Sequence, residues 1–405
     1  MHTKGMCLVV ASFVALGLLS GGPAQGGTTW REPQEVSSKF GRDIQLSESG
    51  QVAAWIRTNR TAQEPTGPVR TAFYRSAKKG WTDSAQMPGT AETRSIQLSA
   101  DGQRLMVVNE EGVRLATRTD TNTWSAPTTV VADKNVIYAR MSADARVVVM
   151  VTREVTDGSW SPPVYIPPST TYTLLAATRD TNGAWSAPVT IAPVWTNAYF
   201  VGAHPGLALS ASGRMVVWLG NDKTLQSSAL GEDGTWSPPQ SIKSYTGFGE
   251  LFGIRLSNDG SRLVWFRDRA VGAFTTTWSG GSWSPVDNVT VDDVTDIALS
   301  PNGTVAAWAN EKGKVKVADI SNGQFSGGKA VGKGGALLPD VLLSNSALAW
   351  AQQDGGALRA SVRKGGSWKA ATLVGKKAIN PALSADGRTL VWASVGDKHI
   401  SSVKR

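Results

Sequence analysis

Short apolar runs recur along this chain at near-regular intervals, each broken by a small polar turn. LSESGQVAAW begins at Leu46, LSADGQRLMV at Leu98, LSASGRMVVW at Leu209, LSNDGSRLVW at Leu256, LSPNGTVAAW at Leu299 and LSADGRTLVW at Leu383. MSADARVVVM at Met141 is a variant, and LSNSALAW at Leu343 is a copy shortened by two residues. A large apolar residue closes each copy: Trp55, Val107, Met150, Trp218, Trp265, Trp308, Trp350 and Trp392. Two apolar runs separated by Asp-Gly or Asn-Gly predict a β-hairpin, because a tight turn needs the positive φ that these residues tolerate. The run after the turn, such as RLVWF or MVVWL, is hydrophobic on both faces, as a strand covered on both sides must be.

A second phrase interleaves with the first. It is Trp followed by Pro three residues on and Val or Ile six on, as in W124SAPTTV, W185SAPVTI and W236SPPQSI. Weaker copies start at Trp81, Trp283, Phe325 and Trp368. Each follows a turn, and before the turn stands a strand-like run such as VRLATR or ALRASVR. That predicts a second hairpin, with Pro near the start of an outer strand that can spare a ladder donor. Four antiparallel strands per unit, repeated radially, predict an all-β fold, a β-propeller. The ends of the chain support closure. W30REPQEV fits the outer-strand phrase with no inner strands before it, and HISSVKR at the C-terminus is a third strand with no fourth after it. The expectation is eight four-stranded blades, the last completed by the N-terminal strand. Seven blades is the alternative, with the shortened copy at Leu343 as a decoy.

The phrase L-S-x-D-G-x-x-L-V-W resembles the repeats of TolB-like and tricorn-like propellers, within the WD-repeat-like group. The resemblance spans nearly all of residues 30–405 and implies fold. Relatives of this kind serve as scaffolds, as gating domains of peptidases and as partners of envelope proteins, so it implies binding. The phrase also resembles the Asp-box of sialidases, but a residue separates Asp from Gly there and none does here, so no sialidase chemistry is carried over.

Residues 7–20, CLVVASFVALGLLS, form an N-terminal apolar run preceded by Lys4, too short to span a bilayer. It reads as a secretory signal over residues 1–26, leaving residues 27–405 as one propeller domain in an extracellular protein. Cys7, the single cysteine, lies within that run, so no disulfide or thiol chemistry is expected in the mature chain. No later segment is apolar enough to cross a membrane, nucleic acid is disfavoured by secretion, and a monomer is expected.

Candidate chemistry is thin. His204 and His399 are the histidines outside the signal, no nucleophile elbow is present, and the acidic stretch 287–296 lacks the ligand spacing of a calcium loop. No metal or cofactor is expected. Of the sixteen tryptophans, thirteen fall at repeat positions and read as packing; Trp160, Trp195 and Trp278 do not. Two of those three lie in insertions of the longest repeat, residues 157–172 and 192–206. Strands alternate direction, so both insertions emerge on one face, where loops on a rigid scaffold collect binding residues. Trp160, Tyr165, Tyr172, Trp195, Tyr199, Phe200 and His204 are the candidate ligand-binding residues. The competing reading is that they pack on one another as a cap.

Charge is uneven. Residues 27–310 hold 25 Lys and Arg against 26 Asp and Glu, whereas residues 311–405 hold 15 against 6. Lys312, Lys314, Lys333, Lys376, Lys377 and Lys398 all belong to connections on the face of the insertions. They are expected to form a patch that attracts an anionic cell-wall polymer by summed field. The functional expectation is a non-catalytic module that binds an extracellular protein or polysaccharide. The alternative is a carbohydrate-active hydrolase or lyase with carboxylates in the central funnel.

Overall fold

A computed structural model describes residues 29–405, except 59–65, 158, 162–163, 167–168, 197–205, 221–223, 245–250, 268–271, 322–323, 334–339, 352–355 and 396. The chain forms eight antiparallel blades, each with strands a to d from the axis outward. In blade 1 these are Gly41–Leu46, Val52–Arg57, Val69–Ser76 and Ala85–Gln86. Blade 8 is Ala378–Leu383, Thr389–Ser394 and His399–Lys404, completed by Gln34–Ser37. That N-terminal strand pairs Gln34 with Ser402 and Glu35 with Ser401, and Arg31 N–H donates to Lys404 O at 2.9 Å. The ring is therefore closed by the first strand, as expected, and the shortened copy is a true blade, with strands Asp340–Leu343, Ala347–Ala351, Leu358–Lys364 and Thr372–Gly375.

The repeated serine is wholly buried in every blade. Its Oγ accepts the main-chain N–H five residues on, at Val52, Arg104, Val147, Met215, Arg262, Val305 and Thr389. The hydroxyl donates to the acid or amide two residues on, at 2.6 Å in Ser99–Asp101, Ser142–Asp144 and Ser257–Asp259. Serine N–H bonds to the carbonyl five residues on, so four residues form the loop, and its third has positive φ, as at Gly102 (67°) and Gly260 (78°). Ala145 takes that place in blade 3 at φ 55°, where the sequence has lost its glycine.

These turns also join one blade to the next. Glu48 N–H donates to Ala100 O, Ala100 to Ala143, Ala143 to Ala211, Ser212 to Asn258 and Asn258 to Pro301, at 2.8–2.9 Å. Pro301 has no N–H to continue the series. Asn302 N–H instead reaches Asn345 Oδ1, Ser346 Oγ–H reaches Asp386 O, and Asp386 N–H returns to Glu48 O. The shortened copy keeps its place in this ring through its side chains.

Strand b is the core of each blade. Trp55, Trp265, Trp308 and Trp350 are fully buried, and Trp218 and Trp392 nearly so. The outer-strand tryptophan is also structural, in a way its spacing alone does not show. It ends a short bridge to strand c, and its indole packs on strand c of the preceding blade. There Trp81 Nε1–H donates to Ser402 Oγ, Trp124 to Thr71 Oγ1 and Trp283 to Ser227 Oγ, at 2.8–3.1 Å. The residue in register with these hydroxyls is Ala176 in blade 3, Val317 in blade 6 and Ala360 in blade 7. The indoles that meet them, Trp236, Trp368 and Trp30, have no acceptor among the described residues. The serine after the tryptophan bridges the gap before strand d: Ser125, Ser186, Ser237 and Ser284 each accept a strand c N–H. The proline falls in that gap, ahead of strand d rather than in it, where no ladder donor is needed.

Ser402→Ala orphans a buried indole N–H and is expected to lower unfolding free energy by about 1–3 kcal/mol. Ala176→Ser gives Trp236 an acceptor and is expected to raise it by about 1 kcal/mol. Urea unfolding of both variants checks the pair; changes of the same sign contradict the assignment.

Lys404, in the closing blade, lies 3.6 Å from the Tyr74 ring centroid. Burial, with Arg31 nearby and against the pull of Asp386, pushes its ammonium down to about 8. The unfolded chain holds this proton more tightly than the folded one, so folding stability rises as pH climbs from about 8 toward the ordinary lysine value of about 10.4. Unfolding of the native chain and of Lys404→Gln across pH 7–10 is expected to show this extra rise in the native chain alone.

Candidate functional site

The b–c and d–a connections lie on one face of the ring, opposite the turns that join the blades. Blade 3 rises from that face. Its strand b runs Val147–Thr156 and its strand c Ser169–Thr178, ten residues each, paired in unbroken register from Val147↔Thr178 to Thr156↔Ser169. Strand b has six residues in blades 1, 2, 5, 6 and 8. The extra four residues lift the ladder by about 13 Å at about 3.3 Å per residue. Strand d, Val189–Thr196, climbs with it and pairs Tyr172 with Trp195 and Thr171 with Thr196. The two insertions are thus parts of one three-stranded projection, not separate loops.

The structure brings the candidate residues together in pairs. Trp195 is in register with Tyr172, and Trp160 with Tyr165 in a small hairpin, Ser159–Ser161 with Val164–Ile166. Tyr199, Phe200 and His204 lie outside the described residues. Tyr172 is half-buried and packs on the cluster of Leu174, Leu207 and Trp218 between blades 3 and 4. It anchors the base of the projection. The residues that rise clear are Arg153, Glu154, Val155 and Thr156, with Val155 52% exposed. Hydropathy reading passed over this tip because its residues are ordinary surface types. The sequence signal is the β-branched run Val147–Thr156, which carries no Gly, Pro, Asn or Asp until Asp157. Trp278, the third tryptophan off the repeat, ends strand c of blade 5. It meets Trp283 edge-on with centroids 5.3 Å apart, as Tyr74 meets Trp81 in blade 1. It is a packing residue.

The expected lysines fall on blade 6 and blade 8. Lys312 and Lys314 are exposed at the b–c connection of blade 6, and Lys333 pairs with Lys314 across strands c and d. Lys376, Lys377 and Lys398 are exposed on blade 8, where Val395 N–H donates to Lys377 O and joins the two connections. Acids accompany both groups. Glu311 N–H bonds to Asp293 O beside Lys312, and Asp397 adjoins Lys398. Asp292 accepts from Lys316 Nζ at 2.7 Å and from Trp308 Nε1 at 3.1 Å. Burial alone would raise its carboxyl, but these bonds outweigh that and hold it below the usual carboxylate range.

The strand a carboxylates act as ties between blades. Asp43 Oδ2 accepts Ile96 N–H of blade 2, and Asp296 Oδ2 accepts Val341 N–H of blade 7 while lying 3.7 Å from Arg255. Gln97 donates to Met141 O and accepts Met141 N–H in the same way. These side chains cover the inner strand edges that would otherwise stay unpaired. Among the described residues, no group of three or more His, Cys, Asp or Glu gathers as a metal site would.

Neither a family model nor a curated protein matches the chain. Solved structures do. Sqt1 from Chaetomium thermophilum is 12% identical with a TM-score of 0.56, covering 93% of this chain and 100% of its own. The Dos1 propeller is 10% identical at 0.56, over 93% of this chain and 95% of its own. The C-terminal WD40 domain of Sif2 is 11% identical at 0.58, over 93% and 98%. At these identities the likeness concerns fold, a WD40-like propeller. No helix among the described residues is long and apolar enough to cross a membrane.

Proposed function

We propose that this protein is a secreted recognition scaffold, of the TolB-like bacterial type, whose closed ring holds the blade 3 projection out to an extracellular protein or glycan. The observation that carries the reading is the joining of both insertions in one sheet, through Thr171↔Thr196 and Tyr172↔Trp195. A projection laddered through three strands is stiff, so a partner meets surfaces already in place and loses less ordering entropy on binding. The N-terminal apolar run supports export. Propellers of this shape serve interaction elsewhere: Sqt1 has been solved bound to the N-terminus of ribosomal protein L10. The lysine groups on blades 6 and 8 share the face of the projection and add a second, electrostatic contribution toward an anionic cell-wall polymer.

Trp195→Ala is expected to weaken capture of a surface-protein extract or a cell-wall glycan fraction while leaving the melting temperature unchanged. Trp265→Ala, in the core, is expected to cost about 3–5 kcal/mol of stability. Equal loss of stability in both variants would show that the projection is a structural cap. Retention on an immobilised polyphosphate wall polymer is expected to fall as salt rises toward about 0.15 M, where charges screen over about 8 Å. Retention that is indifferent to salt contradicts the lysine contribution.

A further inference from the structure

On the outer wall of the ring, at the seam of blades 7 and 8, a cleft of about 390 Å³ opens between strand c of blade 7 and Trp30. Its volume falls within the range of small-molecule sites, about 300–1,000 Å³. The floor is Ala360 and Val362, alternate residues of strand c that share one face and are almost fully buried. Trp30 forms one wall, and Arg405 covers its ring at 5.7 Å. The mouth carries Lys364, Lys369 and Thr372, all exposed. Three features of this seam bear on what it can bind, the first two shared with the seams at Ala176 and Val317. Its strand c position is Ala360, where blades 1, 4 and 8 place a hydroxyl that holds the next indole. The indole N–H of Trp30 is consequently left without an acceptor. The two ammonium groups at the mouth have no salt bridge among the described residues, whereas neighbouring Arg363 is matched by Asp319 at 2.8 Å.

We infer that this cleft binds an acidic sugar, a hexuronate unit at the end of or within a polysaccharide. An indole wall and an aliphatic floor suit the C–H faces of a pyranose, which is apolar there and polar at its rim. Lys364 and Lys369 supply charge-assisted hydrogen bonds to a carboxylate, and Thr372 a hydroxyl partner for the ring substituents. The surrounding chain reinforces the choice of an anion, since residues 311–405 carry 15 basic side chains against 6 acidic. A neutral sugar would leave both ammonium groups unmatched, and a small anion would leave the apolar floor and wall uncovered. This site is separate from the blade 3 projection and does not depend on its role.

Calorimetric titration of the secreted chain with tri-galacturonate tests the assignment, with maltotriose and acetate as probes of ring and charge alone. Tri-galacturonate is expected to bind, and neither control to bind comparably. Lys364→Gln with Lys369→Gln is expected to weaken it by about tenfold or more, as loss of charge-assisted bonds does. Ala370→Trp, which fills the mouth, is expected to abolish it with the fold intact by circular dichroism. Lys78→Gln with Lys79→Gln removes the same charge from the exposed c–d turn of blade 1, which does not line the cleft, and is expected to leave the affinity unchanged. Absence of tri-galacturonate binding, equal binding of maltotriose or acetate, or equal loss in the two lysine pairs would each overturn the proposal.

Discussion

The fold rests on a ring of hydrogen bonds passed from one a–b turn to the next around the axis. Each turn must satisfy its own buried serine and still offer an N–H to the following blade, and both demands fall on four residues. Most blades meet them with main chain alone, from Glu48 through Asn258. Where main chain fails the sequence answers with side chains. Pro301 cannot donate, so Asn302 does, and the shortened turn at Ser344 supplies Asn345 and Ser346 as acceptor and donor. Substituting bonds in this way keeps eight unequal units in one circle. A blade on its own could not bury both faces of its strand b, so stability belongs to the circle rather than to the repeat.

Closure then decides where function can sit. The N-terminal strand seals the outer sheet of blade 8, and Asp43, Gln97 and Asp296 cover inner edges of neighbouring blades. The turn face is committed to joining blades, and Asp43 and Asp296 are committed to main-chain donors of the next blade. The opposite face carries no such duty, and there the longest insertions and the lysine groups lie. The outer seams differ from one another in the residue that meets each indole. At the seam beside Trp30 that residue is Ala360, and Lys364 and Lys369 stand at the mouth of the cleft there.

Much of the fold was legible because its signals are local. The serine, the glycine and the strand b tryptophan recur at fixed phase, and the unmatched strands at the two ends pointed to closure and to eight blades. Asp-Gly predicts a hairpin without giving the length of its turn; the serine Oγ, which accepts the N–H five residues on, sets that length at four. The pairing of Trp81 with Ser402, or Trp124 with Thr71, could not be read, since the partners stand on different blades and no periodicity within a blade links them. The site was partly legible. Spacing located both insertions, but hydropathy singled out their aromatics, whereas Tyr172 turns inward at the base and Arg153 to Thr156 form the exposed tip. The lysines' acidic companions and their distribution over blades 6 and 8 depend on which connections touch, which spacing along the chain does not give.

Native-state hydrogen exchange of the ring amides tests this account most directly. The N–H groups of Ala100, Ala143, Ser212 and Asn258 belong to four blades, yet each is held by the blade that follows. If the circle is the unit of stability, they exchange together, with one opening free energy equal to that of global unfolding. Amides that exchange separately, each at a much lower opening energy, would show blades that open one by one and would contradict it.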